Sequence, residues 1–181
     1  MRKSLAFWWL FGLTFTAVLG SLLHFLYSWT EWIALAPISA VNESTWEHMK
    51  NLFFPMLIFC FIQYALYGNE RVDFWQIKAL GTVVGILLIP ILFYTYNGTF
   101  GKSPDWLNVL FFFLSAALAY GVEWCLFRQK NKKICSPVWA IVLLSVLSVC
   151  FVVFTFFPLQ IPLFKDPLSG NYGPAAVNFF S

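Results

Sequence analysis

P-V-W-A-I-V-L-L-S-V-L-S-V-C-F-V-V-F-T-F-F, from Pro137 to Phe157, runs 21 residues without a charged side chain. At 1.5 Å per residue such a helix is about 30 Å long, the thickness of the hydrocarbon layer of a bilayer. Four further apolar segments have spanning length: Leu5 to Tyr27, Asn51 to Tyr67, Phe74 to Tyr96 and Trp106 to Phe127. The composition agrees. Of 181 residues 60% are hydrophobic and 10% charged, with a mean hydropathy of +0.75, whereas about a quarter of a soluble domain is charged. The fold class expected is all-α, a polytopic transmembrane bundle of about five spanning helices. No remaining segment is long enough for a soluble second domain, so residues 1–181 read as one membrane domain.

Orientation follows from the lysines and arginines of the short connections. Arg2, Lys3, Arg71, Lys78, Arg128, Lys130, Lys132 and Lys133 fall on one side; Lys50, Lys102 and Lys165 fall on the other. This places the N-terminus in the cytoplasm and the stretch Val41 to Pro55 outside. The first segment is read as a retained anchor, because its apolar run exceeds a signal-peptide core. The basic run R-Q-K-N-K-K, Arg128 to Lys133, reads as a topology signal and headgroup contact, with no nucleic-acid partner implied. Cys60, Cys125, Cys135 and Cys150 have no C-x-x-C spacing and suggest neither a disulfide framework nor a thiolate zinc site.

No internal repeat is evident, which argues against an inverted-repeat transporter complete in one chain. The connection Ser28 to Glu43 carries Trp29 and Trp32 and is expected along the membrane interface. After Phe157, Pro158, Pro162 and Pro167 exclude a sixth regular helix. Residues 158–181 are read as a proline-rich outer cap, with D-P-L-S-G forming a turn. Within the spans, Gly12, Thr16, Gly20 and His24 form one stripe and Lys78, Gly81, Thr82 and Gly85 another; both permit close helix approach. Asn108, Ser115, Ala119 and Glu123 share a face expected to look inward.

Polar side chains concentrate in V-N-E-S-T-W-E-H-M-K-N-L-F-F-P, Val41 to Pro55. Ser44 to Glu47 has the S-x-x-E capping-box pattern, and Lys50 can pair with Glu47 three residues earlier. Capping does not account for His48. Its expected depth matches that of His24, the other histidine of the chain. Together with Glu43 or Glu47 the two would make a His/His/carboxylate set suited to zinc with an open position; a hydrogen-bonded interfacial pair, with His48 as a pH-sensitive group or proton carrier, and two unlinked interfacial histidines are the alternatives. The metal set expected is His24, His48 and Glu47, and the same three groups are the catalytic candidates. No other cofactor is indicated.

A second group, Lys78, Glu123 and Gln63, is expected at similar depth near the inner side, as a buried Lys78–Glu123 ion pair or as part of an ion route. Ser145 and Ser148 share a face but lack a nearby histidine, so a serine nucleophile is not expected. N-E-S at Asn42 and N-G-T at Asn97 match glycosylation sequons.

At V-N-E-S-T-W-E-H-M-K, S-L-L-H-F-L-Y and I-P-L-F-K-D-P-L-S-G-N-Y-G the chain resembles a family of small bacterial integral membrane proteins of unknown function. The resemblance extends over nearly the whole length and implies a bacterial cytoplasmic membrane, without an activity. It places Glu43, Glu47, His48, His24, Asp166 and Tyr172 in shared motifs, all expected on one outer face. It also leads one to expect a histidine shortly before I-P-L-F, where this chain has Gln160; a three-histidine site is then absent.

Three functions fit these observations. The first is a module that binds a small ligand, lipid headgroup or partner protein through Glu43, Glu47, His48, Asn108, Asp166 and Tyr172, with the bilayer and a homo-oligomer or membrane complex as its partners. The second is a membrane-embedded hydrolase or transferase using His24, His48 and a carboxylate. The third is an ion- or proton-coupled carrier.

Overall fold

The computed structural model describes residues 2–66, 71–129 and 136–174, with side chains from Leu5 onward. Tyr67, Lys130, Lys132, Lys133, Cys135 and the tail after residue 174 lie outside the described residues. Among the described residues five α-helices follow one another: α1 Arg2–Thr30, α2 Thr45–Leu66, α3 Phe74–Phe100, α4 Asp105–Phe127 and α5 Pro137–Phe156. All five are long and apolar enough to cross a membrane. The C-termini of α1, α3 and α5 share one end of the bundle with the N-termini of α2 and α4; we call it the cap end.

Helix α2 begins six residues before the apolar run expected from Asn51, because its start is set by the cap at Ser44 and not by hydropathy. It is the most enclosed helix, packing on α1, α3, α4 and α5, and Leu52, Phe53, Met56 and Phe59 are fully buried. Helix α5 lies at the periphery, with Val138, Trp139, Val146 and Val149 exposed. On a helix of spanning length, an apolar face of this kind is solvated by lipid.

Two close approaches fix the arrangement. Pro55 lies inside α2 and has no N–H to give the carbonyl of Asn51, one turn earlier. Gly20 of α1 fills the space beside that carbonyl; a Cβ there would lie 2.7 Å from Asn51 O and 2.6 Å from Phe112 Cζ. Likewise Gly81 of α3 lies directly under the side chain of Glu123 on α4, where any Cβ would collide with Glu123 Cγ. The small-residue stripes therefore serve the packing expected of them. Thr16, between Gly12 and Gly20, is buried and hydrogen-bonds the Tyr120 hydroxyl at 2.8 Å.

At the cap end the Ser28 to Glu43 connection makes a 3-10 turn, Ile33–Leu35, and folds back under α1. Ser39 bridges one turn of that helix: its hydroxyl donates to Leu23 O at 2.5 Å and accepts from Tyr27 N at 2.9 Å. Ala36 and Ser39 are buried, while Trp29 and Trp32 remain exposed, the amphipathic division expected of an interfacial segment. Residues 158–174 of the tail fold against the cap end. A second 3-10 turn, Pro162–Phe164, seats Phe164 against Trp46 and Phe154 at ring distances of 4.7 and 5.5 Å. Lys165 and Tyr172 then pair in an antiparallel bridge around the D-P-L-S-G turn.

Candidate functional site

The start of α2 presents two faces about 100° apart. Glu47 and Lys50, three residues apart, point inward. Their charged atoms lie 2.5 Å apart with side chains 3% and 0% exposed. Lys50 Nζ also donates to Ala36 O and Thr155 Oγ1, each at 2.8 Å, so its three hydrogens all have acceptors. Glu47 accepts from Val41 N at 3.1 Å. This network ties α2, α5 and the preceding connection together.

The capping box is therefore half formed. Ser44 Oγ accepts from Glu47 N at 3.4 Å. The reciprocal bond is replaced: the Ser44 amide donates to Asn42 Oδ1 at 2.9 Å, because the Glu47 carboxylate is held by Lys50.

His48 and Asn51, also three residues apart, occupy the neighbouring face and meet His24 of α1. The two imidazole rings stack with centroids 5.3 Å apart and planes 22° from parallel. Glu43 lies across both: His24 Nε2 is 3.4 Å from Oε1 and His48 Nε2 is 3.5 Å from Oε2. One ligand atom from each residue falls within 4.8 Å of those of the other two. The convergent carboxylate is thus Glu43 and not Glu47, which corrects the expected set His24, His48 and Glu47. Asn51 Nδ2 lies 3.2 Å from His24 Nδ1, and Asn51 Oδ1 is buried without a hydrogen-bond partner among the described residues.

His24, Glu43 and His48 line a cavity of about 620 Å³ at the cap end. Phe25, Phe93, Phe112 and Phe113 supply aromatic wall. Opposite the histidines, Lys102, Ser103, Asp105 and Asn108 supply a second polar region, and Pro167 and Leu168 of the tail form part of the rim. Ser103 organises that region, donating to Asn108 Oδ1 at 2.7 Å and bonded to Asn97 through its amide and hydroxyl. Among the described residues Lys102 has no carboxylate within ion-pair distance.

Other expected site residues have structural partners. Asp166 does not line the cavity; it closes the tail turn, accepting from Leu168 N at 2.9 Å and Ser169 Oγ at 2.5 Å. Tyr172 packs against the core as a half of the tail bridge and is likewise absent from the cavity wall. Asn42 and Asn97 of the two sequons serve the fold: Asn42 Nδ2 donates to Gly173 O at 3.1 Å and Asn97 Nδ2 to Phe93 O at 2.7 Å. Ser148 bonds Leu144 O in its own helix.

Far from the cap end, Lys78 and Glu123 form the expected buried ion pair at 2.5 Å, with Lys78 Nζ also 5.3 and 5.2 Å from the ring centroids of Phe59 and Tyr120. Gln63 is outside the pair. Among the described residues its Oε1 and Glu123 Oε1 are buried without partners, and both residues line a cavity of about 10 Å³, the room of one water molecule.

Asn51, Lys102, Ser103 and the aromatic walls were not singled out by the sequence reading. The one available signal was the i, i+3 spacing of His48 and Asn51, parallel to that of Glu47 and Lys50.

These features define a five-helix protein of membrane-spanning type, with a polar and aromatic cavity beneath an ordered tail. The chain belongs to DUF6512, a family of unknown function whose model matches residues 1–174. No curated protein and no solved structure matches it.

Proposed function

We propose that the protein binds the polar head of a membrane amphiphile at its outer face. The observation that carries this reading is the 620 Å³ cavity, whose polar groups lie in two patches flanked by phenylalanine rings. Ligand sites of this size combine mostly apolar walls with a few polar groups that orient the ligand. The segregation of lysines and arginines supports an outer location for this end, and the sequence resemblance supports a bacterial cytoplasmic membrane.

Native mass spectrometry of protein released from its membrane tests the reading. A retained amphiphile is expected on the unaltered chain, and its retention is expected to fall in Phe112→Trp, which thickens one wall of the cavity. Equal retention by both proteins would overturn the proposal.

A second reading, a hydrolase or transferase acting on such an amphiphile with zinc, is favoured by one observation: His24, Glu43 and His48 converge on the cavity wall. Its test is turnover of the retained amphiphile and loss of turnover in His48→Ala. The carrier reading has less support. Along α2 the cavity and the Lys78–Glu123 pair are separated by Leu52, Phe53 and Met56, all fully buried.

A further inference from the structure

We infer that His24, Glu43 and His48 form a binding site for one divalent transition-metal ion of the zinc class, with Asn51 orienting His24 and an open coordination position facing the cavity. The inference concerns the same cavity but does not depend on amphiphile binding.

Distance is the first argument. The two His–Glu43 separations, 3.4 and 3.5 Å, exceed the usual 2.7–3.2 Å of an N–H···O hydrogen bond. Each alone matches a nitrogen–oxygen edge of a tetrahedron around zinc, about 3.4 Å for bonds of about 2.0–2.1 Å; they run to different oxygens of Glu43, so an ion between the rings is met by either oxygen or by both. Parallel stacking of the rings aims both Nε2 atoms toward the one carboxylate. The third edge must close only from within the 4.8 Å that bounds the group.

The second argument is Asn51. A ligating imidazole gives its other nitrogen's hydrogen to a fixed acceptor, which sets the tautomer. Among the described residues Asn51 Oδ1 is an acceptor without a donor, in a side chain 2% exposed, and its amide already contacts His24 Nδ1. Turning the amide by 180° brings Oδ1 to that nitrogen. His24 then donates from Nδ1 and presents the lone pair of Nε2 to the group.

Ligand chemistry selects the ion. Two imidazoles and one carboxylate suit zinc and its first-row neighbours, whereas calcium and magnesium take all-oxygen sets. Three protein ligands leave a position free, as in catalytic rather than structural zinc sites. His24 and His48 are held on two packed helices, while Glu43 sits on the connection before α2, 42% exposed and reachable from the cavity. An ion there would polarise an oxygen of whatever occupies the cavity.

The test is titration of the full chain, delipidated in detergent and stripped of metal, with Co²⁺ and then Zn²⁺. Expected are one equivalent of Co²⁺ with visible absorption bands of low-coordinate cobalt, and their loss as Zn²⁺ displaces it. Glu43→Gln alters a half-exposed loop residue outside the buried network and is expected to fold and to bind more than about tenfold more weakly. Asn51→Ala should cost about 10–100-fold. Absence of stoichiometric binding by the unaltered protein, or undiminished affinity in folded Glu43→Gln, would overturn the inference. Amphiphile retention in chelator is measured separately, so failure of either proposal leaves the other intact.

Discussion

The ammonium of Lys50 sits 2.5 Å from the carboxylate of Glu47, inside the cap end where neither side chain meets solvent. A buried pair is costly to break from one side, because the remaining charge stays behind without its partner. Lys50→Met is expected to destabilise by about 3–5 kcal/mol, while Glu47→Leu with Lys50→Met should recover most of that loss. Chemical unfolding in micelles measures both. A loss below about 1 kcal/mol in the single variant would show that the network around Lys50 does not hold the helices together.

Gly20 lies against the Asn51 carbonyl that Pro55 leaves without a helical donor. Gly20→Val therefore pushes α1 away from α2 at the level of His24 and the cavity. Overpacking of this kind costs about 1–3 kcal/mol. The thermal midpoint should fall, and metal affinity should fall with it, because the ligands stand on the two helices forced apart. Unchanged values for both would place the close approach elsewhere.

Much of this arrangement was legible in the sequence, for reasons that differ between elements. Uninterrupted apolar length announced the five spans, and glycine spacing announced the close contacts, because both are local and periodic. The start of α2 was displaced from the apolar boundary because Ser44, a polar cap, begins the helix before hydropathy rises. The choice between Glu43 and Glu47 was not legible. It depends on Thr155 of α5 and Ala36 of the preceding connection, which supply the rest of the Lys50 shell and draw Glu47 inward. Lys102 and the phenylalanine walls escaped notice for a similar reason: they become a site only when α3 and α4 bring them opposite His24.

Arg71, one of the basic residues that set the orientation, also clasps the other end of the bundle. Its guanidinium makes a paired contact to Asp73 at 2.8 and 2.8 Å and donates to Phe127 O at 2.7 Å, satisfying a carbonyl at the end of α4. Lysine has the charge but not the planar fork. Arg71→Lys is expected to cost about 1–2 kcal/mol through lost charge-assisted hydrogen bonds. Hydrogen exchange should accelerate in the last turn of α4 more than in its middle. Uniform exchange along α4 would argue that the clasp does not secure that terminus.

The tail reaches the cavity through one aromatic anchor. Phe164 is 4% exposed and packs on Trp46 and Phe154, and three residues later Pro167 and Leu168 enter the cavity rim. Removing the ring forfeits the burial that holds the tail to α2 and α5, about 3–5 kcal/mol for a phenylalanine deleted from a packed site. Because residues 158–174 add no spanning helix to the bundle, this loss should appear as local release and not as global unfolding. Phe164→Ala is therefore expected to make residues 158–174 a preferred site of limited proteolysis while the helical content and the melting of the five helices change little. Release of the rim should also speed exchange of any cavity ligand without removing the groups that bind it. If the tail resists protease as before, its position over the cavity is held by the Asp166 turn and the Asn42 contact to Gly173 instead.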